Sequence, residues 1–340
     1  MATDYILFVH GVNTRPPEEL STHTTRPNPQ QSFFASDLIK LISDYNRDKK
    51  LSLNLKMREL YWYELMLSAE KQLLDWFEES KVWANFWFKD FRKQHILPFA
   101  GDAALYISRY IGSDVVETLK NQAKAILQGC NPEKDRLHLV THSWGTVILF
   151  DVLFAGRWDD PNIPGCESVQ EIRNLLFGIS PEPQKGIRIA SIHTLGSPIA
   201  IAYLINVRRI QRQPAQKLTK KQIETVFTHD ITLRFQQLLQ NLYAVNGNTK
   251  LPWRNFAHPG DPLAYPLSVV IPKLLDKGEE YLDIQDVIIN DSGALEWLAK
   301  PLSNTFLALI NGGSAHGSYW KNQTVAEMIA KTIQQRAVLG

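Results

Sequence analysis

Apolar residues in this chain gather in short runs separated by polar, glycine- and proline-rich stretches, and the period of each run predicts an element. Residues 5–9 are apolar at every position, which predicts a strand covered on both faces, as in a parallel sheet. Phe33, Phe34, Leu38, Leu41 and Ile42 recur at helical spacing, while Leu53, Leu55 and Met57 alternate as in a strand. A helix is predicted over 115–127, stopped by Gly129 and Asn131-Pro132. Residues 137–140 read as a buried strand and 146–155 as a buried helix; 187–195 and 253–257 read as further strands. The last strand is expected within 281–290 around Val287-Ile288-Ile289, followed by a helical segment over 294–310 and a final helix over 324–336. Strands alternating with helices predict an α/β fold with a mostly parallel central sheet flanked by helices, as a single domain over 1–340. Residues 15–30, rich in proline and threonine, and the excursion 206–250, polar and basic over 208–221, interrupt that alternation.

Residues 61–112 stand apart by composition. Leu73, Trp76, Phe77, Trp83, Phe86, Trp87 and Phe91 fall near i, i+3, i+4 spacing with Lys and Glu between them, which predicts a helical insertion with one strongly apolar face. The protein's own core is the first candidate to cover that face. The second is a cap or lid over an acyl pocket, or a transient contact with a membrane surface, because interfacial helices carry the same aromatic and basic pattern.

Bulk properties narrow the partners. A net charge of +2, with 21% charged and 44% hydrophobic residues, describes a globular protein with a substantial core and excludes the strong basic field of a nucleic-acid binder. Two cysteines, Cys130 and Cys166, make no disulfide framework and lie in no metal-ligand spacing, so free thiols are expected and no metal. The first residues carry neither a basic region nor a long apolar stretch, so the expected location is cytoplasmic. No phosphate-binding or dinucleotide-binding loop is present, and no cofactor is expected.

The chemistry concentrates at Val140-Thr141-His142-Ser143-Trp144-Gly145, where a buried strand meets a buried helix. A sharp strand-to-helix turn needs small residues on either side of its apex and lifts the apical side chain, Ser143, out of the sheet. His142 points the other way along the strand and is expected to pack beneath the turn. A serine hydroxyl is a poor nucleophile until an imidazole takes its proton and a carboxylate orients that imidazole. Glycine-containing loops after predicted strands, His10-Gly11-Val12, Gly196-Ser197-Pro198 and His258-Pro259-Gly260-Asp261, and the loop Gly312-Gly313-Ser314-Ala315-His316 after the helical segment, are where such partners would stand. Asp230, Asp286 and Asp291 are alternative acids; His193, His229 and His258 are weaker alternatives for the base.

This pattern resembles the α/β-hydrolase superfamily, with Thr141 in place of the first glycine of G-x-S-x-G. The stretches Trp253-x-Asn255-Phe256, Asp261-Pro262-Leu263-Ala264-Tyr265 and Ala315-His316-x-Ser318-Tyr319-Trp320 look like the acid and histidine loops of a lipase-like serine esterase branch. The resemblance implies a nucleophile Ser143, an acid Asp261 and a base His316, in that chain order. It also implies oxyanion donors at the amides of Val12 and Trp144, with His10, Gly11 and Ser197 beside the substrate. The implied activity is hydrolysis of carboxylic esters, with apolar acyl or lipid esters as substrates. Thioesterases and acyltransferases use the same triad, and a binding protein on a hydrolase scaffold would use the aromatic face alone.

Overall fold

The computed structural model describes residues 2–11, 34–62, 64–93, 97, 109–201, 230–289 and 315–339. Its strands are β1 (Asp4–Val9), β2 (Leu55–Leu60), β3 (Arg136–His142), β4 (Arg188–Leu195), β5 (Leu251–Ala257) and β6 (Leu282–Ile288). They form one sheet in the order β2-β1-β3-β4-β5-β6, with every neighbouring pair parallel. The main helices are α1 (Ser36–Asp48), α2 (Glu64–Glu79), α3 (Arg109–Ile126), α4 (Trp144–Phe154), α5 (Cys166–Asn174), α6 (Thr232–Val245) and α7 (Gln323–Leu339).

The uninterrupted apolar runs have a direct cause. Tyr5, Leu7 and Val9 of β1 enter a large core with residues of α3, α4, α5 and α6, such as Val115, Phe150, Val169 and Leu238. Ile6 and Phe8 enter a smaller core on the opposite face, against Leu38 and Ile42 of α1 and Val325, Ile329 and Ile333 of α7. A strand between two helical layers has no face left for polar residues. Helix α4 is buried from Gly145 to Phe154 apart from Val147, so its sequence is apolar all round.

Several expectations shift in detail. The strand foreseen from Leu53 begins at Leu55, because Leu53 is held just before it by the Asn46 side chain, whose Oδ1 accepts the Leu53 amide at 3.2 Å. The last strand ends at Ile288, although the Ile289 amide still reaches Ala257 O at 3.0 Å. Helix α6 falls within 206–250 and buries Phe235, Leu238, Leu239 and Leu242, so this part of the stretch is core. Phe33, the loop 15–30, the basic stretch 208–221 and the segment 294–310 lie outside the described residues.

The aromatic stretch departs most from the first candidate. Trp62 is buried, but Trp76, Phe86, Trp87 and Phe88 are exposed, Trp87 by 79%. The core therefore does not cover these four side chains, while Leu73, Phe77 and Trp83 are half-buried. Helix α2 follows β2, the edge strand of the sheet among the described residues. Cys130 and Cys166 are free thiols. Among the described residues no helix is long and apolar enough to cross a membrane.

Candidate active site

Ser143 occupies the junction of β3 and α4 with φ 53° and ψ −135°, outside the regions a non-glycine residue adopts freely. Such a conformation costs of order 1–3 kcal/mol and needs surroundings that enforce it. Two glycines allow those surroundings to close. A Cβ on Gly145 would lie 2.1 Å from His10 O, so the start of α4 can rest against the end of β1 only without a side chain there. A Cβ on Gly11 would lie 2.5 Å from Ser143 Cβ, so the loop after β1 passes directly over the serine. Thr141, two residues before the serine, is accommodated by a buried hydrogen bond between its Oγ1 and Thr146 Oγ1 at 2.8 Å. The Ser143 amide donates to Leu195 O at 2.9 Å, which ties the turn to the end of β4.

Asp261 and His316 come together at the same end of the sheet. His316 Nδ1 lies 2.9 Å from Asp261 Oδ2, and the carboxylate accepts the Leu263 amide on Oδ1 at 2.9 Å. Burial pushes the Asp261 carboxyl up, but the bonds from His316, Leu263 and Tyr319 outweigh it and hold the group below the ordinary carboxylate range. An ionised Asp261 accepts the Nδ1 proton and leaves His316 Nε2 with its lone pair free. The loop carrying His316 is held from below by His142, whose Nε2 donates to His316 O at 2.7 Å. Burial and the facing His316 push the His142 imidazole down to about 3, so it remains a neutral donor. The two rings stand 4.5 Å apart, which places His316 over the residue preceding Ser143. Ser143 Oγ is itself buried and has no hydrogen-bond partner among the described residues.

The other acids the sequence left open serve elsewhere. Asp286 accepts bonds from Leu267, Ser268 and Asn255 and fixes the loop after β5, and Asp230 binds the amide and hydroxyl of Thr232 at the start of α6. Asp291 and His229 lie outside the described residues. His193 is buried against Ser191, and His258 Nδ1 accepts the Gly260 amide at 3.0 Å. His10 is buried, its ring stacked 3.9 Å from that of Trp62, whose amide donates to His10 Nε2 at 3.1 Å. Ser197 is buried, and its Oγ accepts the Ile199 amide at 3.3 Å in a local turn. Trp144 opens α4, so its amide belongs to the first turn, whose N–H groups have no partner within the helix. Val12, the other expected donor, lies outside the described residues.

Tyr319 is the member that sequence reasoning left without a role. Its buried hydroxyl donates to Asp261 Oδ2 at 2.7 Å and accepts the His258 amide at 2.9 Å, bracing the acid loop from two sides. Its place three residues after His316, one helical turn on, was the available signal.

No family model matches the chain, and no curated protein matches it. Among solved structures, a dienelactone hydrolase from Anabaena variabilis is similar at 12% identity, covering 90% of this chain and 86% of that chain, with a TM-score of 0.28. A likeness so remote carries no argument about chemistry, and the site stands on its own geometry. The parallel sheet flanked by helices, with a serine at the sharp strand-to-helix turn after its third strand, gives the chain an α/β fold.

Proposed function

We propose that this protein is a serine hydrolase that cleaves carboxylic esters through Ser143, His316 and Asp261. The observation that carries the reading is the 2.9 Å bond between His316 and a buried, ionised Asp261, beside a strained serine at the amino end of α4. His316 Nε2 takes the Ser143 proton as Oγ attacks the ester carbonyl, and Asp261 stabilises the imidazolium that forms. The Trp144 amide and the positive end of α4 face the developing oxyanion, with Val12 as the expected second donor. The alkoxide leaves with the proton from His316, and an acyl group remains on Ser143. Water, deprotonated by the same imidazole, then releases the carboxylate. Among the described residues Ser143 Oγ has no hydrogen-bond partner, and its bond to His316 Nε2 is expected to close when substrate binds.

Apolar acyl or lipid esters are the proposed substrates. Exposed Trp76, Phe86, Trp87 and Phe88 support this, because the segment that carries them leaves the sheet at the carboxyl end of β2, the end at which Ser143 sits. A fluorophosphonate probe tests the chemistry. Labelling is expected in native protein and lost in Ser143→Ala, in His316→Ala and after heat denaturation. Because Ser143 is fully buried, labelling is expected to quicken with detergent micelles. Labelling that survives in Ser143→Ala, or its absence both with and without detergent, overturns the proposal. A series of p-nitrophenyl esters of increasing chain length then reads the acyl preference.

A further inference from the structure

We propose that the cleft at the amino ends of β1, β3 and β4 is a binding site for an oxyanion, the phosphate or carboxylate group of a small metabolite, with Arg336 as its central ligand. The cleft, about 880 Å³, is lined by Asp4, Asn54, Arg136, Arg188, Asn246 and Arg336 among others, and lies at the opposite end of the strands from Ser143. Its volume is in the range of small-molecule sites.

Arg336, in the last turn of α7, is nine-tenths buried, and its Nε is out of contact with solvent and without a hydrogen-bond partner among the described residues. An arginine that served only the carboxyl end of a helix would keep its head in water. The chain satisfies a buried arginine elsewhere: Arg173 donates to Val152 O, Ala155 O and the Asp159 carboxylate. Of the three carboxylates that line the cleft, Glu133 is exposed and pairs with no arginine among the described residues, while Asp4 and Asp135 are already committed. Asp4 is held by Arg136 Nε at 2.7 Å and Nη2 at 3.0 Å, and by His138 Nε2 at 3.1 Å. Asp135 accepts the amides of Thr3 and Asn131. Arg136 adds a like charge, with its Nη1 3.5 Å from Arg336 O. Burial and that neighbour both push the Arg336 guanidinium down from its ordinary range. A mostly buried guanidinium close to a second arginine, with no carboxylate paired to it among the described residues, is costly unless an anion completes it, and its planar fork of donors suits phosphate or carboxylate. Ser52, Asn54, Asn246 and Thr249 on the walls supply hydrogen bonds for the body of such a ligand.

Thermal unfolding tests the site, with pyrophosphate, phosphate and succinate titrated against sodium chloride at equal ionic strength. A saturable rise in Tm beyond that of chloride is expected for at least one anion. Response to the phosphates alone assigns a phosphate ligand, and response to succinate alone a carboxylate. Arg336→Met is expected to weaken binding by about ten- to a hundredfold. It should leave p-nitrophenyl ester hydrolysis unchanged, as should Arg47→Met, a control at an exposed arginine, which keeps anion binding. If Arg336→Met does not fold, Arg336→Lys is the deciding variant, with weaker binding expected. Shifts no larger than those of chloride, or undiminished binding in the deciding variant, overturn the proposal. Because the readout is anion binding, its failure is separate from any failure of the esterase reading.

Discussion

Ser143 is held in its strained conformation by contacts to β1 and β4, and the residues around it divide the work of supporting His316. Tyr319 shares Asp261 Oδ2 with His316 and also caps the His258 amide. Tyr319→Phe leaves that amide without its partner and the carboxylate with one donor fewer, so a loss of about 1–3 kcal/mol of stability is expected in urea titrations. In ester hydrolysis the same variant should lower kcat with KM little changed, the mark of a group that positions the reacting residues. His142 makes a prediction about pH. Its imidazole is pushed from an ordinary value of 6.5 down to about 3, so between these values the unfolded chain binds a proton that the folded protein refuses. Stability therefore falls as pH drops through that window, by about 1.4 kcal/mol per pH unit for each such group. His138 and His193, also buried and shifted downward, act in the same direction. His142→Gln, which keeps a donor toward His316 O, should flatten the slope by about one proton in denaturation curves taken from pH 7 to pH 4. An unchanged slope would mean that His142 is not held neutral.

At the scale of elements, the close packing of α4 on β1 is what the glycines permit. The clash at Gly145 is with backbone, which has no rotamer to yield, so Gly145→Ala is expected to destabilise by more than about 3 kcal/mol or to prevent folding. Circular dichroism melts read this directly. The segment over 81–93 behaves differently, because Phe86, Trp87 and Phe88 are turned to solvent in a stretch that also carries Lys81, Lys89 and Arg92. A membrane contact predicts that Ser143→Ala protein floats with anionic phosphatidylglycerol vesicles. Replacing both Trp87 and Phe88 by Ala should abolish flotation with Tm little changed, since exposed side chains contribute little to the fold. Flotation equal in both proteins would remove the aromatic tip from that role.

At the scale of the molecule, one sheet serves two cores. Ile329 in the smaller core and Phe150 in the larger are both essentially buried, and truncation to Ala is expected to cost about 2–5 kcal/mol at either. Because both cores pack on the same strands, near-ultraviolet and far-ultraviolet signals should move together in each variant. Separate transitions would show that the α1–α7 layer unfolds on its own. Parallel strands, which all end on the same side of the sheet, also explain why residues as far apart in sequence as Ser143, Asp261 and His316 occupy one rim.

What the sequence determined by itself was local or periodic. Doubly covered strands announce themselves by uninterrupted apolar runs, and the turn at Ser143 by the small residues that its geometry requires. The order of Ser143, Asp261 and His316 also pointed to one site, through family resemblance. Tertiary structure alone decided the rest. It paired His316 with Asp261 and gave Asp286 to Asn255 and Ser268, because hydrogen bonds to distant segments engage the two carboxylates differently. It gave Tyr319 its place, since a hydroxyl becomes a brace only when its acceptor is brought within 3 Å across 58 residues of chain. It left Trp87 in solvent, because an apolar helical face declares a need for cover but carries no record of which surface is available. It buried Arg336 beside Arg136, because the environment of a charge depends on what the folded chain carries to it from far along the sequence.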